Sequence, residues 1–252
     1  MPSLEFANLP LVEVAVRLAL AEPLPLSLAR LADLFGRVRE RFSLMDDAPN
    51  VEASPGRGDI SVHLRRATAV RYEGHAQGLV LTVQPALVVM RWLASARGPA
   101  YPRFSALEDE LWRCVADLEA VFPESRVRFD VANMTYLNFI ETGATSVEEI
   151  IGRYFSDSVR PPAMPSDVRF HSINLSWRKA VDLRLIVERG EAYVGPEPMV
   201  GYRLVTVSGD AFTAEARPQA KVRELHDVLQ ELFLAVISDF AKKEWGYARP
   251  SV

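Results

Sequence analysis

Cysteine is almost missing from this chain. Cys114 is the only one in 252 residues, which excludes an internal disulfide framework and fits a reducing compartment. Lysine is scarce as well, confined to Lys179, Lys221, Lys242 and Lys243, so arginine carries most of the positive charge. Acidic residues outnumber basic ones, 33 against 29, for a formal net charge of −4. That balance weighs against nonspecific nucleic-acid binding, where a basic surface supplies most of the affinity. No apolar run approaches the roughly 18 residues of a membrane span. The opening stretch has no basic leader and no continuous apolar segment, because Glu5, Glu13, Arg17 and Glu22 interrupt it. No signal peptide is expected. These absences predict a soluble, cytoplasmic protein with no membrane partner.

Catalytic signatures are equally thin. There is no G-x-G-x-x-G or G-x-x-x-x-G-K to cradle a phosphate and no G-x-S-x-G to present a serine nucleophile. His63, His75, His171 and His226 have no metal-ligand spacing among themselves or with cysteine. Gly56-Arg57-Gly58-Asp59 reads as a turn, and Asp46-Asp47 as a solvated pair in a polar loop over 45–59. Cys114 falls inside an apolar stripe and reads as a small buried hydrophobe rather than a nucleophile. No catalytic residue, cofactor or metal site is expected.

What is present is a strong pattern of strands and helices. The clearest stretch, Leu79 to Phe122, reads as strand, turn and long helix. Pro85 should interrupt the strand, since it cannot donate to a ladder. The helix is expected to open at Ser105, where Ser105 and Glu108 have the S-x-x-E spacing of a capping box. Behind it Leu107, Leu111, Cys114, Val115, Leu118, Val121 and Phe122 repeat at helical spacing. Asp109, Arg113 and Asp117 stand four apart on another face and are expected to pair with one another.

Elsewhere, Val12, Val14, Val16 and Leu18 alternate with Glu13 and Arg17, the pattern of a half-buried strand. Ser27 is the expected N-cap of a helix to about Phe42, with Leu28, Leu31, Leu34, Phe35, Val38 and Phe42 buried. Strands are predicted over 60–72 and 126–140, the latter with a change of phase near Ala132-Asn133. A second capping box at Ser146 and Glu149 opens a short helix. Beyond it come strands over 168–179, 181–189 and 202–216 and a final helix over about 220–245. The prolines at 161, 162 and 165 mark 156–167 as a linker. The fold class expected is α+β: a broad, mainly antiparallel sheet in two similar halves, 1–158 and 168–252, each covered by a long amphipathic helix, or one composite domain of both.

One cluster stands out from the background. Arg65, Arg66, Arg71, Tyr72, Arg91 and Trp92 come from neighbouring predicted strands and compose a candidate arginine–aromatic binding surface, of the sort that holds phosphates, single-stranded nucleic acid or an acidic protein face; the favoured reading is the plainer one, in which Arg71 and Arg91 decorate the solvent side of the sheet. Ser172, Asn174 and Ser176 form a polar strip that is expected to meet water.

Several stretches carry a family resemblance in their shared order. They are Asn8-Leu9-Pro10-Leu11-Val12-Glu13-Val14, Val89-Met90-Arg91-Trp92, Tyr101-Pro102-Arg103-Phe104, Thr135-Tyr136-Leu137-Asn138-Phe139-Ile140, and Leu225-His226-Asp227 leading to Phe233. Together they resemble a sporadically distributed family of uncharacterised bacterial proteins of about this length. The resemblance implies a bacterial cytoplasmic protein and transfers no activity, cofactor or catalytic residue. Scattered distribution is also a property of mobile systems such as toxin–antitoxin and phage-defence operons. The functional expectation is therefore a non-enzymatic, protein-binding component of a bacterial accessory system, an antitoxin, immunity or phage-defence partner whose own partner is encoded nearby. The alternative is an enzyme or sensor that binds a phosphorylated ligand, a nucleotide or RNA, through the arginine–aromatic cluster.

Overall fold

A computed structural model describes residues 5–55, 60–74, 78–94, 100–125, 127–141, 147–159, 172–178, 181–192, 199–211 and 218–248. In chain order the elements are β1 (Glu5–Phe6), β2 (Leu11–Leu20), α1 (Leu28–Val38), β3 (Phe42–Pro55), β4 (Ile60–Gly74), β5 (Leu79–Gln84), β6 (Leu87–Leu93), α2 (Phe104–Val121), β7 (Phe129–Glu141), α3 (Val147–Tyr154), β8 (Ser172–Arg178), β9 (Asp182–Ala192), β10 (Met199–Ala211), α4 (Pro218–Val236), α5 (Asp239–Glu244) and β11 (Tyr247–Ala248). Nine strands form one sheet in the order β3-β4-β5-β6-β2-β7-β10-β9-β8, and every pairing is antiparallel. The fold is α+β, with helices laid along one face of a broad antiparallel sheet.

Period-two alternation decides which side chains meet the helices. One row across the sheet runs Tyr72, Leu81, Met90, Val16, Met134, and all five are buried. On the first half α1 and α2 cover this face, with Leu31, Leu34 and Val38 of one packed near Leu107, Leu111 and Leu118 of the other. On the second half α4 lies over β7 and β10, and α3 and α5 close a second cluster around Tyr202, Leu204 and Trp245. The two halves share the sheet through β7 and β10, which pair without interruption from Val131–Ala211 to Glu141–Gly201.

Several sequence expectations hold in detail. Ser27 caps α1, its Oγ accepting from Arg30 N at 3.3 Å. Pro85 sits in the turn between β5 and β6. The change of phase in β7 is a bulge that comes earlier than the expected Ala132-Asn133: Ala19 faces Val131 and Leu20 faces Phe129, leaving Asp130 unpaired in register and Val131 on the opposite face from Phe129. Cys114 is buried, and burial pushes its thiol up to about 12, so it remains protonated.

Four expectations are corrected. The polar loop over 45–59 is in large part strand: β3 runs to Pro55 along β4, with register shifts between Leu44 and Asp46 and between Ala48 and Asn50. Its Asp and Pro content suits an edge strand, where one row of backbone groups needs no ladder partner. Asp109, Arg113 and Asp117 do not pair with one another. Arg113 bonds Glu110 at 3.3 Å, and Asp117 accepts from Arg41 at 2.6 Å, a guanidinium that also holds Glu110 at 2.7 Å. Leu28 is exposed, and Phe42 belongs to β3 because α1 stops at Val38. The final helix breaks after Val236, where Ile237 forms a strand-like bridge to Phe155. Ser238 restarts it, accepting from Ala241 N at 3.1 Å and donating to Arg153 O at 2.7 Å. A continuous apolar stripe hid that break. The turn at 56–59, His75, His171, Ser146 and the linker residues 160–167 lie outside the described residues.

Leu111 is fully buried and Asp109 exposed. Leu111→Asp should cost several kcal/mol by desolvating an unpaired carboxylate, against a total of about 5–15 kcal/mol. That variant should be largely unfolded in water, while Asp109→Ala should move a urea melt by less than about 1 kcal/mol. A folded Leu111→Asp beside a collapsed Asp109→Ala would reverse the phase of α2.

Candidate functional site

The site lies at the seam between the halves, where β2, β6, β7 and β10 pass under the first turn of α2 and the middle of α4. The segment that carries β1 closes one wall, held there by β11. β1 pairs with β11, Ala7 N donates to Gly246 O at 3.2 Å, and Asn8 N to Trp245 O at 3.0 Å. Gly246 has φ +66, and a Cβ there would come within 2.8 Å of Ala7 Cβ, so the clasp requires glycine. Behind it is a cavity of about 720 Å³, within the range that takes drug-sized ligands.

Aromatic rings line it in pairs. Phe104 stacks on His226 with centroids 3.8 Å apart, Trp92 leans on Tyr101 at 5.2 Å, and Phe6 meets Phe233 edge-on at 5.8 Å. Between them are polar groups without charge. Tyr136 Oη and His226 Nδ1 are 2.8 Å apart. Burial pushes His226 down to about 4, so its imidazole is neutral at physiological pH, and the tautomer sets which of the two donates. Burial likewise raises the phenols of Tyr101 and Tyr136, which keeps both protonated.

Two polar atoms of lining residues are buried with no hydrogen-bond partner among the described residues: Asn138 Oδ1 and Trp92 Nε1. Asn138 is the more telling. It occupies the helix-covered face of β7, between Tyr136 and Ile140 on the same strand face, at 1% exposure. An unmet buried acceptor costs about 1–3 kcal/mol, and such groups call for an explanation in water, an ion or a ligand.

The rim carries charge. Arg223 Nε holds the buried carboxylate of Glu108 at 2.7 Å, and Arg103 and Asp227 also border the opening. Here the expected capping box fails. α2 opens at Phe104, its N-cap is Arg103 at φ 72, and no side chain caps it. Glu108 is drawn instead to Arg223, a charge-assisted bond that outweighs a neutral cap. The first turn of α2 therefore faces the opening with its positive dipole end uncapped by a side chain.

The arginine–aromatic surface is split by the sheet. Tyr72 and Trp92 point into the helix-covered core, Tyr72 stacking on Phe35 at 6.3 Å. Arg71 and Arg91, their immediate neighbours, fall on the opposite face by the same period-two rule. Arg65 and Arg66 lie in β4, with side chains outside the described residues. Arg17 of β2 joins Arg71 and Arg91 on that face, donating to Thr135 Oγ1 at 2.9 Å. Burial bears first against the charge on Arg91; Glu13 supports it, and Arg71 and Arg17 oppose it. Ser172, Asn174 and Ser176 are exposed, as expected. Among the described residues no group of three or more His, Cys, Asp or Glu is placed to hold a metal.

Tyr101, Tyr136, Asn138 and His226 were not candidate site residues by any chemical motif. They come from stretches far apart in the sequence, 101–104, 135–140 and 225–227, which also supply Arg103, Phe104 and Asp227 to the lining. No protein-family profile matches the chain, and no curated protein matches it.

Removing the unmet acceptor should stabilise the empty protein. Asn138→Leu puts an apolar group against the cavity and should raise stability by about 1–3 kcal/mol, read as a higher urea midpoint. A fall of more than about 1 kcal/mol would mean that the carboxamide is satisfied within the protein.

Proposed function

We propose that this chain is a ligand-binding protein, a sensor without catalysis of its own, whose site is the aromatic cavity at the seam. The observation that carries the reading is the buried, unpartnered Oδ1 of Asn138 on a wall of aromatic rings. A neutral imidazole, protonated phenols and an amide suit recognition by shape and hydrogen bonding. They supply no activated nucleophile, and the tight Tyr136–His226 pair occupies the one imidazole of the cavity lining.

We extend the proposal to the setting. The sensor would serve in the cytoplasm of a bacterium as an antitoxin, immunity or phage-defence component, reporting occupancy to a protein encoded beside it. The family resemblance supports this half. So does the cluster of Arg17, Arg71 and Arg91 on the sheet's other face, which suits an acidic partner by charge complementarity. No helix is long and apolar enough to cross a membrane among the described residues.

Melting of the full chain against nucleobases, nucleosides, nucleotides and aromatic amino-acid derivatives tests the ligand half. A ligand at about 100 times its Kd should add about 2.7 kcal/mol, or about 5–10 °C for a chain of this size. Ala100→Trp, at an exposed position on the rim, should abolish the shift. No shift with any compound at millimolar concentration, or a shift that survives Ala100→Trp, contradicts it. For the partner half, the adjacent gene's product should copurify on co-expression and lose that association with Arg91→Glu. Failure to copurify removes that half alone.

A further inference from the structure

The geometry points to the kind of ligand: we infer a flat aromatic molecule that bears an N–H donor on its ring system and a single negative charge, with the ring inside the cavity and the anion at the first turn of α2. The inference rests on the cavity being a ligand site and adds which chemistry fills it.

Three features specify it separately. The donor follows from Asn138, since its unpartnered atom is Oδ1, an acceptor at a residue of 1% exposure. Only a group that donates a hydrogen bond satisfies it. The flat ring follows from the walls. Phe104–His226, Trp92–Tyr101 and Phe6–Phe233 present ring faces and edges, and aromatic pairs gain about 0.5–1.5 kcal/mol beyond their buried area.

The anion follows from the rim, and the charge count limits it to one. Arg103 and Arg223 bring two positive charges there, and Glu108 and Asp227 bring two negative ones, so the formal charges cancel. What remains is the positive end of α2, an 18-residue helix with no side-chain cap, equivalent to roughly half an elementary charge. Backbone N–H groups at such an end are ready donors to an anion. Half a charge and a few N–H groups suit a monoanion. A triphosphate would meet Glu108 and Asp227 with nothing in excess to offset it. The two natural sources of this chemistry are a cyclic phosphodiester on a nucleobase and a carboxylate on a nitrogen heterocycle.

The test uses two probes that differ only in the anion. 6-Anilinonaphthalene-2-sulfonate has aromatic rings, one N–H and one negative charge at the far end of the naphthalene, and N-phenyl-2-naphthylamine is the same amine without the sulfonate. Titrated against the full chain by fluorescence, the anionic probe should bind with a Kd at least tenfold lower. Ser105→Asp places a negative charge in the first turn of α2 at an exposed position, where it favours the helix and so preserves folding. It should weaken the anionic probe at least fivefold and leave the neutral one within twofold. Equal affinity for both probes, or an equal loss of both in Ser105→Asp, overturns the inference while leaving the cavity a ligand site. Binding of both probes that is indifferent to Ala100→Trp overturns the site itself. Displacement of the anionic probe separates the sources. Release by 3′,5′-cyclic AMP but not by indole-3-acetate identifies a phosphodiester, the reverse identifies a carboxylate, and release by neither at millimolar concentration overturns the class.

Discussion

The architecture depends on β2 being held on both edges. It is the first long strand in the chain, yet it is central in the sheet, paired with β6 on one side and β7 on the other. Val14, Val16 and Leu18 are buried under the helices, and Ala15 between them is buried on the opposite face. Neither partner follows β2 directly, so the chain must complete α1 and the β3–β6 meander before one edge closes, and α2 before the other. Pairing of this separation places loop-closure entropy ahead of the contacts that offset it. It also brings α2 and α4 onto one face from opposite halves, where Glu108 and Arg223 join them at 2.7 Å. The cavity is the space left at that meeting.

A cavity of this composition is a poor way to make a stable protein. An unmet buried acceptor such as Asn138 Oδ1 costs about 1–3 kcal/mol, a noticeable part of the roughly 5–15 kcal/mol that holds a domain together. Apolar residues of similar size would pack better at each position. Groups that lower stability without supporting the fold are the mark of sites kept for something that binds. The neutral state of His226 fits the same account, since burial is the chief cause that displaces its proton and leaves a ring that can stack on Phe104.

The sheet and its covering helices were legible in the sequence because burial imposes a period of 2 or 3.6 on apolar residues. The stripe from Leu107 to Val121, the alternation in β2 and the bulge in β7 all follow that rule. What escaped was decided by tertiary partners. Ser105 and Glu108 satisfy a local capping rule, but Arg223, 115 residues on, takes the carboxylate. Asp-rich, Pro-containing β3 reads as loop until β4 is seen beside it. The candidate surface is divided between the two faces of the sheet: Arg71-Tyr72 and Arg91-Trp92 are adjacent in sequence, and adjacency in a strand means opposite faces. Arg17 was legible as a polar-face residue of β2, but only the sheet order brings it to Arg71 and Arg91. The cavity had no chemical motif at all. Its lining comes from stretches far apart in sequence that only the fold brings together.

The most direct test is a crystal structure of the protein soaked with 6-anilinonaphthalene-2-sulfonate. The account predicts the probe in the seam cavity, its N–H on Asn138 Oδ1 and its sulfonate against the backbone N–H groups at the start of α2. A probe bound elsewhere, with the Asn138 carboxamide paired to protein atoms and the cavity closed around it, would contradict the account.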